Sequence, residues 1–148
     1  MVLNSYGKGQ AIYSSGSLEA NYLYDRVKST GQMLAAMVRF LGRGAPQPYT
    51  LKAPMGVYAV LRLATNGDLA LWVLANVGFK DAVVGRMRQD YLPLSQIEVG
   101  IHIPEGRQAK AMRLMRAEQS VPFKVEEGYA VATIPTLHMA EVVHLALA

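Results

Sequence analysis

The chain reads as mainly β: an antiparallel β-sandwich of about 6–8 strands preceded by a short strand and one α-helix. Three observations predict this class. From residue 55 onward, apolar residues recur in short runs or at period two, the spacing of strands with one buried face. Asn66-Gly67 and Glu127-Gly128 each interrupt a pair of such runs, and both residues of the first dipeptide tolerate the positive φ that a tight hairpin requires. Only the stretch around residues 29–44 combines a helical period with start and stop signals.

Taken in order, "YGKGQAIYSSGS" (residues 6–17) reads as a glycine-flanked turn leading into a strand at Gln10–Ser14. A lone strand leaves its backbone groups unpaired, so its partner is expected elsewhere. In "STGQMLAAMVRFLGRG", Ser29 and Gln32 have the spacing of a capping box. A helix over Thr30–Leu41 then places Leu34, Met37, Val38 and Leu41 on one face, with Gly42 or Gly44 as its stop. "GAPQPYTLKAP" carries three prolines and no helical period, so residues 45–54 read as a linker between a strand-helix segment (1–44) and the sandwich (55–148).

Within the sandwich, "VYAVLRLATNGDLALWVLANV" forms the first hairpin, and "QIEVGIHIP" sets Ile97, Val99, Ile101 and Ile103 against Glu98 and His102 on the opposite face. "QAKAMRLMRAE" has helix-favouring composition. Its place between β runs, and the pairing of Met112 with Leu114, make it a strand. "VPFKVEEGYAVATIP" is a second hairpin, "LHMAEVVHLAL" a closing strand, and Pro104 and Pro135 mark strand ends.

Composition excludes several classes. At 148 residues, with 51% hydrophobic and 18% charged residues, the chain can bury a core and is not disordered. The absence of cysteine removes disulfides, thiolate metal sites and cysteine nucleophiles. A formal net charge of +4 permits only weak attraction to polyanions. The densest basic set, Arg107, Lys110, Arg113 and Arg116, has no interleaved aromatic for base stacking, so no specific nucleic-acid partner is expected. Neither a secretory leader nor a membrane span can be read, so no membrane partner is expected and the cytoplasm is the default location.

The ordered succession "YGKGQAIYSSG", "GQMLAAMVRFLG", "DLALWVLANVG" and "YAVATIPTLHMAEVVHLAL" resembles the C-terminal region of β-galactosidase-like bacterial glycoside hydrolases. The resemblance implies the last strand and helix of a trimerisation-type α/β domain followed by a small β-sandwich, without the catalytic barrel. The strand and helix have apolar faces without enough chain to build a sheet of their own, so an assembly module is expected whose partners are other copies or the domains of a parent enzyme.

No catalytic centre is legible. Glycoside hydrolysis needs two carboxyl groups roughly 5 Å or roughly 6.5–9.5 Å apart across a cleft. Asp81, Asp90, Glu98, Glu105, Glu126 and Glu127 mostly fall at strand ends or turns, where a solvated carboxylate is the default. Arg86, Arg88, Asp90 and Tyr91 lie together in a long inter-strand stretch. They could clamp a carbohydrate by bidentate hydrogen bonds and stacking, or merely pair with one another in a connector. Leu34, Met37, Val38 and Leu41 are the candidate assembly interface. The spacings of His102, His138 and His144 match no metal motif, and no cofactor is implied. Trp72 and most of the eight methionines read as core.

Overall fold

A computed structural model describes the chain except residues 19, 21–27, 43, 55 and 76–91, and the side chain of residue 28. It divides into two compact units, Met1–Pro46 and Gln47–Ala148.

In the first unit, β1 (Val2–Tyr6) and β2 (Gly9–Tyr13) form an antiparallel hairpin closed by Gly7 and Lys8, with Tyr6 opposite Gly9. Gly7 has φ 57°, the left-handed conformation that a two-residue loop demands. The strand expected to pair elsewhere therefore finds its partner in the residues just before it, which the polar "VLNSY" did not advertise. Helix α1 (Lys28–Leu41) follows. Ser29 and Thr30 lie inside it, so the Ser29–Gln32 capping box is not the start. Its end is as expected, the Gly42 amide donating to the Val38 carbonyl at 2.9 Å.

The second unit is a sandwich of two antiparallel sheets. One has the order β3 (Tyr49–Lys52), β6 (Leu94–His102), β10 (Tyr129–Leu137), β9 (Phe123–Glu126). The other runs β4 (Val57–Leu63), β5 (Leu69–Ala75), β11 (Ala140–Leu147), β7 (Ala109–Leu114), β8 (Gln119–Ser120). Among the described residues this makes nine strands. The additions are the two-residue β8 and β3, which lies inside the stretch read as a linker. Prolines flank β3 without entering it, and its backbone pairs with β6 from Tyr49–Ile101 to Lys52–Glu98.

The core draws on both sheets. Ile97, Val99, Ile101, Ala130 and Ile134 face Leu71, Val73, Met112, Leu114, Val143 and Leu145, all essentially inaccessible to solvent. Both predicted hairpins form. β4 and β5 turn at Asn66-Gly67, while Glu127 and Gly128 take φ of 50° and 84° between β9 and β10. Pro135 lies within β10 rather than at its end. It sits beyond the reach of β9 and opposite Gln96, whose φ of 56° breaks the regular ladder, so its missing amide leaves no hydrogen bond unmade.

Two expectations about large side chains fail. Trp72 is 48% exposed, because the alternation that turns Leu71 and Val73 inward turns Trp72 outward. It shares that outer face with Tyr58, Val60, Leu74 and Val142, paired strand to strand as Val60–Trp72–Val142. Of the methionines among the described residues, only Met112 is buried; Met1, Met33, Met115 and Met139 are exposed.

Candidate functional site

Among the described residues the sandwich holds two buried acidic side chains, Asp68 and Glu141, one at each end of β11. Glu141 occupies an inward position, in phase with Val143, Leu145 and Leu147. A carboxylate there is tolerable only if hydrogen bonds replace its water. Three backbone amides do so. Arg116 and Val142 donate to Oε1 at 2.8 Å each, and Ala117 donates to Oε2 at 3.1 Å. The side chain thereby fixes the turn between β7 and β8, where Glu118 adopts φ 52°.

Asp68 closes the first hairpin turn. Its backbone carbonyl accepts from the Ala64 amide, and its side chain accepts from the Leu147 amide at 3.0 Å, Asn66 Nδ2 at 2.7 Å and His144 Nε2 at 3.0 Å. The Leu147 amide, chiefly, holds the Asp68 carboxyl below its usual range; Asn66 and His144 act in the same sense and burial opposes them. The His144 side chain thus finds its partner in the Asp68 carboxylate.

These two carboxylates do not form a glycosidase pair. Each is tied to an amide of β11, Val142 for one and Leu147 for the other, and five strand residues separate those amides by roughly 17 Å. With one hydrogen bond at each end, the carboxylates stay at least roughly 11 Å apart, beyond either catalytic spacing. Sequence reading had passed over both residues. The signal for Glu141 was present, an acidic residue in phase with three apolar ones. The signal for Asp68 was its place directly after Asn-Gly.

Of the carboxylates singled out in the sequence, Glu98 lies on the outer face of β6 and pairs with Lys52 at 2.6 Å. Asp81, Asp90, Arg86, Arg88 and Tyr91 lie outside the described residues. The histidines do not converge. His102 meets the Tyr129 ring edge-on at 5.2 Å, His144 holds Asp68, and His138 stands at the β10–β11 corner. Two of the four residues in the basic strip engage backbone carbonyls: Arg107 donates to Ala148 and Arg116 to Ala140.

The first unit carries the candidate assembly residues. Leu34, Met37 and Leu41 are half-buried, whereas Val38 is 63% exposed. The helix packs along β2 through a neighbouring stripe, Met33, Ala36, Met37 and Phe40, which with Leu3 and Ile12 lines an apolar groove of about 380 Å³. No described residue of this unit is fully buried.

No family model matches the chain, and no curated protein matches it in sequence. Among solved structures it is similar in fold to an alpha-L-fucosidase, isoenzyme 2 from Paenibacillus thiaminolyticus. The TM-score is 0.74 at 19% sequence identity, over 97% of this chain. The chain spans 21% of the length of that structure.

Proposed function

We propose that this chain is a non-catalytic assembly module of glycoside-hydrolase ancestry that associates with a second copy of itself through the hairpin-helix unit. One observation carries the reading: the first 46 residues contain no fully buried residue among those described. A two-stranded hairpin with one helix lacks the area to exclude water from its own apolar surface. Val38, Phe40, Val2 and Leu3 accordingly remain exposed. In the two-stranded sheet the backbone of β1 is paired only on the side of β2, and an antiparallel strand from a second copy can continue such an edge with two-fold symmetry.

The ancestry rests on two supports. The fold likeness is to a chain named as a fucosidase, and the order of motifs resembles the β-galactosidase-like type. That the fold occupies about a fifth of the fucosidase chain fits a part whose role is to join other parts.

The test is the mass in solution. Size-exclusion chromatography with light scattering on the full chain at micromolar concentration is expected to give a dimer or larger assembly. The double substitution Val38→Asp and Phe40→Asp is expected to give a monomer with unchanged Trp72 fluorescence. A wild-type monomer across the micromolar range would remove the proposal.

A further inference from the structure

A second surface, on the sandwich and independent of the assembly reading, has the make-up of a ligand site. At the β10–β11 corner a cleft of about 370 Å³ opens between the two sheets, within the size range of small-molecule sites. Buried Leu114 and Glu141 lie at its base, and Arg116, Gln119, Thr136 and His138 line its exposed walls.

Two of the polar groups, Glu141 and Arg116, are held in place before any ligand arrives. The Arg116 backbone amide is fixed by Glu141 Oε1, and its guanidinium is steered by Nη1 donating to the Ala140 carbonyl at 3.2 Å. That leaves the remaining guanidinium N–H groups without a protein acceptor among the described residues. The Gln119 amide, the Thr136 hydroxyl and the His138 ring likewise have no protein partner among the described residues. Glu141 Oε2 accepts one hydrogen bond, from Ala117, and a carboxylate oxygen has room for a second.

The mixture of groups decides the class of ligand. A simple anion would suit Arg116 but would meet the Glu141 carboxylate. A hydroxyl both donates and accepts, so neighbouring hydroxyls can give a proton to Oε2 and receive one from the guanidinium or the Gln119 amide. The apolar remainder, Leu114, Pro135 and Ala140, suits the C–H face of a ring. From this juxtaposition of a fixed carboxylate, a steered guanidinium and a small apolar base, we infer that the corner cleft binds a neutral pyranose. Among the described residues no Phe, Tyr or Trp lines it, so no large ring platform contributes and affinity is expected near the millimolar range, about 1–10 mM.

Amide NMR titration of the full chain with D-galactose, D-glucose and L-fucose, each to about 50 mM, tests this against inorganic phosphate as the anionic probe. At least one sugar is expected to shift the amides of Ala117, Gln119 and Ala140 saturably. Arg116→Ala and Gln119→Ala, both at exposed positions, are expected to weaken that binding by about tenfold or more with the sandwich spectrum otherwise intact. Shifts with phosphate alone, or with no probe, would overturn the inference. So would sugar binding that survives both substitutions, or that is instead removed by Arg86→Ala and Tyr91→Ala, which would place the ligand on residues 80–96.

Discussion

The two units of this chain bring similar apolar content to opposite outcomes. In the sandwich, two sheets face each other and seventeen hydrophobic side chains are buried among the described residues. In the hairpin-helix unit, a helix with apolar residues on two sides, Met33–Phe40 and Leu34–Leu41, is accompanied by a two-stranded sheet among the described residues. The contrast teaches that apolar composition supplies a driving force, whereas burial needs enough opposing surface. A second sheet provides it in one unit; in the other, the described residues include none that is fully buried.

The sharpest way to break the comparison is to cut the sandwich core. Leu71→Ala removes a side chain with no solvent exposure and is expected to cost about 3–4 kcal/mol in urea unfolding followed by Trp72 fluorescence. The only tryptophan lies on β5, so the signal reports the sandwich alone. Glu141→Ala comes next, at about 2–3 kcal/mol, because three backbone amides lose their acceptor while two of them, in the β7–β8 turn, can recruit water. A loss below about 0.5 kcal/mol would mean that the carboxylate does not hold that turn.

A finer probe is acid. The carboxyl of Asp68 is held below its ordinary value of 3.8, so it contributes stability above that pH. The contribution declines as pH falls below 3.8 and is lost as pH passes through the folded value. Asp68→Asn is expected to flatten this part of the acid limb; identical pH profiles for wild type and variant would contradict the assignment.

Hydrogen exchange sharpens the contrast between units. The amides of Leu71 and Val143 should exchange only through global unfolding. Those of Ile12 and Met37 should exchange by local opening, and should slow as protein concentration rises if a second copy covers them. The smallest effect is reserved for the exposed pair. Lys52, its charged form favoured by the hydrogen bond it donates to Glu98, lies at the surface, and Lys52→Ala is expected to leave the urea midpoint unchanged.

The basis of legibility differs from element to element. Val99 and Ile101 could be placed inside because Glu98 and His102 alternate with them, and a strand has only two faces. "ALWVLA" is apolar on both, so the sequence could not say whether Trp72 or Leu71 and Val73 turned inward. The β3 pairing escaped notice because four residues between prolines carry too little pattern, and their partner lies more than forty residues away. Of the candidate site, the carboxylate Glu141 was visible as a break in an inward apolar row. The convergence of Arg116, Gln119, Thr136 and His138 was not, since they come from the β7–β8 turn, β8, the end of β10 and the β10–β11 corner, on two different sheets.

What the sequence determined by itself was local: the hairpin turns at Asn66-Gly67 and Glu127-Gly128, the end of the helix at Gly42, and the period-two faces of β6 and β11. These follow from φ preference and from side-chain direction, which neighbours along the chain impose. Only the tertiary structure decided which apolar face of β5 is covered, which amides satisfy Asp68 and Glu141, and that a cleft forms at the β10–β11 corner. Each depends on groups distant in sequence meeting at hydrogen-bond or van der Waals range, and strand pairing and sheet packing set those distances.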